Sequence, residues 1–176
     1  LAAIGRLSEE KGFDCLLHAF SIMLDRGLDA CLLIMGDGPE RSRLEGTVQR
    51  LGLHGKVLLA GYRRDAWRYL SLCRAFVLAS YTEGFPITLL EVMQTGVPVI
   101  ATAVGGVPLL VHDRETGIVV PPGSPESIAE AMLRVMSDGD AAAVMAEKAR
   151  EFVLREYSVA RMGNKYRHVY ETLTTT

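Results

Sequence analysis

Cysteine is scarce in these 176 residues: Cys15, Cys31 and Cys73 are the only three. None has metal-type spacing, and each sits inside an apolar segment, so we read them as buried thiols in a reducing compartment rather than as disulfides or zinc ligands. No apolar run reaches bilayer-spanning length, and no basic segment precedes an apolar one as in a signal peptide. The expectation is a cytoplasmic protein. An excess of either charge is also missing, with 19 Lys and Arg against 21 Asp and Glu and a formal net charge of −2. That balance argues against nucleic acid, or an acidic membrane, as the main partner. The four histidines, His18, His54, His112 and His168, have no partner carboxylate at a convincing spacing. No Ser-His-Asp, Cys-His or two-metal constellation stands out. Internal repeats, low-complexity stretches and linkers are absent too, which leaves one domain over residues 1–176.

At 49% hydrophobic and 23% charged, the chain is long enough to bury one sizeable core. Short β-prone runs alternate with helical patterns from end to end. Strands are expected near 1–5, 30–35, 56–60, 75–79, 97–101 and 117–120. The intervening helices are marked by Phe13, Leu16, Leu17, Phe20 and Leu24; by Leu44, Val48 and Leu51, ended by Gly52; by 65–73; by the stretch after Pro86; and by 108–111. This alternation predicts an α/β fold, a Rossmann-like parallel sheet of about six strands with helices on both faces. Ser124-Pro125-Glu126 reads as a cap and first helical turn, with a helix to about residue 137, and two more C-terminal helices should follow near 140–155 and 158–173. The last has no strand to return to, and its default role is core packing. The chain begins without Met, directly in a strand-like run, which suggests a piece of a longer protein.

Residues 80–91, Ser-Tyr-Thr-Glu-Gly-Phe-Pro-Ile-Thr-Leu-Leu-Glu, organise the functional reading. They follow the apolar run 75–79 and read as strand, turn and helix start, with Gly84 free to turn and Pro86 suited to the first helical position. Such a helix leaves the N–H groups of Ile87, Thr88 and Leu89 unpaired and facing the strand end, a ready site for phosphate. Glu83 and Glu91 are too far apart to share a proton: on a continuous helix, positions eight apart are roughly 12 Å apart along the axis. A ligand touching both must be long, anionic in its middle and hydroxylated at both ends. A nucleotide sugar fits. Arg6 and Lys11, in Gly5-Arg-Leu-Ser-Glu-Glu-Lys-Gly12 after the first strand, stand where its diphosphate would want them. On their own they would read as solvated charges beside Glu9 and Glu10. Gly36-Asp37-Gly38-Pro39, after the second strand, is a weak dinucleotide-type signal, and the plain reading is a tight turn with Pro39 starting a helix.

The spacing from Glu83 to Glu91, with Gly84-Phe85-Pro86 after the first Glu, resembles the donor-site signature of the retaining glycosyltransferases of family 4, also called group 1, which have the GT-B fold. Gly5-Arg6-Leu7, then Lys11-Gly12, is similar to the opening of that family's donor domain. The resemblance runs from Gly5 through Pro122. It implies that the chain is the nucleotide-sugar (donor) binding half of a GT-B fold, with the N-terminal acceptor domain lying outside these residues. It further implies a donor of UDP, GDP or ADP type, retaining transfer and no cofactor. No metal is expected, on the reading that the chain lacks the Asp-x-Asp used by metal-dependent glycosyltransferases of the other main fold. By the same resemblance, Glu91 holds the ribose, Glu83 the sugar, and Arg6, Lys11 and the amides at Thr88 and Leu89 the diphosphate. Gly36 and Gly38 flank the donor cleft. Gly61 and Tyr62 lie at the base end, where backbone groups read the base edge; alternatively Tyr62 packs and Arg63 and Arg64 are solvated. The loop 104–108 departs from the family at Leu109, where Glu is common. The acceptor, a sugar or lipid, is not specified; contact with a membrane's inner face would come through the missing half. The rival readings are a nucleotide-sugar epimerase-like enzyme and a non-enzymatic interaction module on the same scaffold.

Overall fold

The computed structural model describes residues 1–174, apart from the side chains of residues 168 and 174. Six strands, β1 (Ala2–Ile4), β2 (Leu32–Met35), β3 (Val57–Leu59), β4 (Phe76–Leu78), β5 (Val99–Thr102) and β6 (Ile118–Val120), form one sheet in the order β3-β2-β1-β4-β5-β6. Every pairing is parallel, as in Ala2 opposite Leu33 and Val77 opposite Ile100. Five of the six strands fall within the predicted runs, and β5 extends one residue beyond its run, to Thr102. The helices are α1 (Phe13–Asp25), α2 (Arg41–Arg50), α3 (Trp67–Leu70), α4 (Ile87–Gln94), α5 (Val107–Leu110), α6 (Pro125–Ser137), α7 (Gly139–Glu156) and α8 (Val159–Thr174), with a short 3-10 turn at Glu9–Lys11.

Parallel strands are buried on both faces, so their residues must be apolar in both directions. Ala3, Ile34, Val77 and Ile100 point into one core with Leu16, Leu17 and Phe20 of α1 and Ile128 and Met132 of α6. Ala2, Phe76, Leu78, Val99 and Ala101 point into the other with Leu89, Val92 and Met93 of α4 and Ala149 and Val153 of α7. Each such fully buried Leu or Phe contributes roughly 1.5–3 kcal/mol. The C-terminal helices start where expected: Ser124 Oγ accepts from Ser127 N, and Asp138 Oδ1 from Ala141 N. An Asp-x-Asp is in fact present, contrary to expectation, at Asp138-Gly139-Asp140; it stands at the start of α7, where Asp138 Oδ1 is the helix cap.

Some local expectations need correction. The helix predicted over 65–73 is only the single turn α3; Arg68 N bonds to Asp65 O and Cys73 N to Leu70 O, so both ends wind tighter than an α-helix. Only Leu70 in it is buried, too little apolar surface to sustain a longer helix. Cys31 is exposed rather than buried, because it precedes the first paired residue of β2; Cys15 is buried and Cys73 half-buried. α8 does not pack its tyrosines into the core: Tyr166 is 62% and Tyr170 68% exposed. No helix among the described residues is long and apolar enough to cross a membrane.

Candidate functional site

The strand order turns at β1 and β4. β1 leads to β2 on one side and β4 to β5 on the other, so the loops leaving these neighbours diverge and open a crevice at the carboxyl edge. The loop after β1 carries Arg6 and Lys11, and the loop after β4 carries Glu83. The fold therefore brings together residues that the sequence keeps far apart.

These loops are stitched to one another through their backbones. Tyr81 N donates to Glu10 O at 2.8 Å, Leu7 N to Asp37 O at 2.9 Å, Gly36 N to Gly61 O at 2.9 Å and Gly106 N to Gly84 O at 2.7 Å. Glycines make the approach possible. Gly36 has φ +152, and a Cβ there would lie 1.8 Å from Gly5 O; Gly105 has φ +50, and its Cβ would lie 1.8 Å from Glu83 O. Gly38 likewise sits against Leu7 O. The Gly36–Gly38 segment is thus more than a plain turn, since it is the surface on which the Arg6 loop rests. Pro39 does not begin a helix; α2 starts at Arg41.

At the centre, Lys11 Nζ donates to Glu83 Oε1 at 2.7 Å, linking positions 72 apart in sequence. The Glu83 side chain is 8% exposed and that of Lys11 26%. Ser80 Oγ donates to the same oxygen at 2.7 Å. A carboxylate in this setting stays oriented by two donors while its other oxygen keeps its accepting capacity. Sequence reading missed Ser80; its signal is a hydroxyl directly closing an apolar strand run, where a buried polar group needs a partner. Arg6 is exposed on the same rim and makes no ion pair among the described residues.

The helix start differs in detail from expectation. Pro86 is the N-cap, with φ −78 and ψ 91, and Ile87 is the first residue of α4. Leu89 N, expected to be free, donates to Pro86 O at 3.0 Å. The cause is a tight first turn, which leaves the N–H groups of Ile87 and Thr88 without a backbone acceptor among the described residues. Gly84 and Phe85 are exposed, and the Phe85 ring lies 5.9 Å from that of Tyr157. Glu91 is exposed one turn further on, beside a cavity of about 420 Å³ that Ile4, Arg63, Arg64 and Trp67 also line. Tyr62 is 75% exposed, so its ring does not pack. Leu109 is 64% exposed, and its carbonyl accepts from Tyr157 Oη.

Other groups stand apart from this rim. His18 Nδ1 is 2.9 Å from Asp14 O, His54 is exposed, and His112 packs edge-on against Phe152; the His168 side chain lies outside the described residues. Burial pushes the Cys15 thiol up to about 11. A cavity of about 660 Å³ lies at the opposite, amino edge of the sheet, lined mainly by apolar residues such as Leu1, Leu58 and Leu72, with Lys56 and Arg74 also on its wall. Among the described residues no three His, Cys, Asp or Glu side chains gather as a metal-binding group.

The sequence pattern described as "Glycosyl transferases group 1" matches residues 1–152. The chain belongs to that family. Among curated proteins, it is 33% identical over 172 residues to alpha-D-kanosaminyltransferase of Streptomyces kanamyceticus, covering 97% of this chain and 45% of the relative. To N-acetyl-alpha-D-glucosaminyl L-malate synthase of Bacillus anthracis it is 29% identical over 170 residues, 97% of this chain and 44% of the relative. The chain thus spans about half the length of these relatives. Anabaena HepE, solved in complex with UDP, superposes with a TM-score of 0.89 at 25% identity, over 99% of this chain and 48% of HepE. HepE has also been solved with UDP-glucose. The C-terminal domain of a group 1 protein from Francisella tularensis aligns over 90% of this chain and 86% of its own, at TM-score 0.80 and 26% identity. The six-stranded Rossmann-like domain matches those of the GT-B glycosyltransferases.

Proposed function

We propose that residues 1–176 are the donor-binding half of a retaining glycosyltransferase that takes a nucleoside-diphosphate sugar. The observation that carries this reading is the meeting of Lys11 and Glu83, across 72 positions, at the crevice between β1 and β4. HepE's complexes with UDP and UDP-glucose support it, because that relative shares the fold over nearly the whole chain.

In this reading the diphosphate meets Arg6, Lys11 and the amides at the start of α4, which stabilise negative charge on the leaving group as the sugar bond breaks. Leu89 contributes through the turn it closes on Pro86. Glu83 accepts from hydroxyls of the transferred sugar through the oxygen that Lys11 and Ser80 leave open. Glu91 accepts from the ribose, and Gly61 and Tyr62 border the base. The donor is of UDP, GDP or ADP type. Anomeric configuration is kept, with departure and attack on one face of the sugar. An N-terminal domain outside this chain supplies the acceptor site, and any contact with the inner face of a membrane; the protein works in the cytoplasm. The 176-residue chain binds the nucleotide and transfers nothing.

A thermal-shift and calorimetric screen of UDP, GDP and ADP, each with its glucose conjugate, tests this. Selective stabilisation by one base is the expected result, since a ligand that binds only the native state raises its unfolding temperature. No shift with any of them would overturn the reading. Measurable transfer by the chain alone would overturn the division of labour.

A further inference from the structure

We infer that Ser80 is a positioning residue for Glu83, and that it sets how well the site distinguishes a nucleotide sugar from the bare nucleoside diphosphate. The inference rests on the donor-site reading above. Its basis is the way Ser80 is itself held, which that reading does not use. Ser80 is completely buried, and its hydroxyl donates to Glu83 Oε1 at 2.7 Å. Its own carbonyl accepts from Thr102 Oγ1 at 2.6 Å, and Thr102, at the end of β5, is completely buried as well. Ser80 is therefore held from behind by the neighbouring strand while it holds the carboxylate in front.

Lys11 is the other donor on the same oxygen, also at 2.7 Å. The two donors are not equivalent. Lys11 is on a flexible four-carbon stem and is drawn to any anion that enters the crevice, whereas the Ser80 hydroxyl has one rotor, fixed by packing. When a diphosphate recruits the ammonium, Glu83 keeps its orientation through Ser80. The unshared oxygen then continues to face the sugar. The contacts divide accordingly: Lys11 answers to the diphosphate, and Ser80, through Glu83, answers to the sugar.

The test is calorimetry on the full 176-residue chain, with the nucleoside diphosphate that binds best and with its glucose conjugate. The quantity read is the ratio of the two affinities. Ser80→Ala is expected to lower that ratio about 3- to 10-fold, the size of one net hydrogen bond, and to leave the diphosphate affinity within about 2-fold, well under one hydrogen bond's worth. Ser80→Cys keeps the size and replaces a strong donor by a weak one, and it moves the ratio in the same direction. In a Glu83→Ala background, Ser80→Ala has no further effect on the ratio, which a general loosening of the loop would not reproduce. An unchanged ratio in both Ser80 variants, with diphosphate binding intact, overturns this inference alone. An equal further loss in the Glu83→Ala background also overturns it. Failure of the unsubstituted chain to bind any of the diphosphates overturns the donor-site reading and this inference with it.

Discussion

Replacing Lys11 by Ala isolates the pair at the centre of the crevice and has two separable consequences. Before any ligand binds, truncation removes one of two donors from a Glu83 carboxylate that is 8% exposed. A hydrogen bond to a charged group contributes roughly 1.5–3 kcal/mol. Lys11 is itself 26% exposed and regains some chain entropy when cut back, so the net loss should fall near the lower part of that range, about 1–2 kcal/mol. For a domain of this size that corresponds to a fall of roughly 2–8 °C in unfolding temperature. Nucleotide affinity changes by less than the phosphate contact alone would suggest. The ammonium must leave Glu83 to meet the diphosphate, so only the difference between the two interactions appears as binding. We expect a loss of about 10- to 30-fold, or roughly 1.4–2 kcal/mol. Urea denaturation and calorimetric titration of the tightest-binding nucleoside diphosphate read the two effects. If both stability and affinity match the unsubstituted chain, the pair is a solvated contact and Lys11 does not serve the site.

Other substitutions probe the frame around it. Gly105→Ala would place a Cβ 1.8 Å from Glu83 O at a φ of +50, and should cost several kcal/mol in urea melts and abolish nucleotide binding. Gly46→Ala, inside α2 with no atom within 4 Å of the added carbon, should stabilise by about 0.5–1 kcal/mol and leave binding alone. Glu91→Ala should erase the preference for a ribose over a 2′-deoxyribose nucleotide, measured by competition, because a lost acceptor no longer penalises the missing hydroxyl. For pH, burial pushes the Cys15 thiol up to about 11 from its ordinary 9.0. The unfolded chain therefore releases this proton first as pH rises. The stability due to Cys15 is complete below pH 9 and is lost between about 9 and 11, with a slope approaching 1.4 kcal/mol per pH unit. Urea melts across that window should show the decline, and Cys15→Ala should flatten it.

The architecture was legible because hydrophobic period and breakers are local signals. Every strand was marked by an apolar run of the right length, and Ser124-Pro125 announced α6 by cap chemistry alone. What could not be read depends on partners distant in the chain. Cys31 looked buried because it adjoins an apolar run, but burial depends on where strand pairing begins, at Leu32 opposite Val57. Leu89 was expected to leave its amide free, yet the extended ψ at Pro86 tightened the first turn and closed that N–H onto Pro86 O. Gly36 and Gly38 looked like ordinary turn glycines, because the carbonyls of Gly5 and Leu7 that exclude a side chain there belong to another loop. α8 carried a clear apolar stripe, and nothing in the stripe says that the described residues leave it largely exposed. At the site, residue types and strand-end placement pointed to Arg6, Lys11, Glu83 and Glu91. The Lys11–Glu83 contact and the Ser80 hydroxyl behind it needed the β1–β4 adjacency, which the order of elements along the chain does not state.

The most direct measurement is a crystal structure of the chain soaked with its preferred nucleoside diphosphate. The account predicts the diphosphate in the crevice between β1 and β4, within hydrogen-bond reach of Lys11 Nζ and the amides of Ile87 and Thr88, with Glu83 still on Ser80. Nucleotide seated instead at the amino edge of the sheet, among Cys31, Leu58 and Leu72, would contradict it.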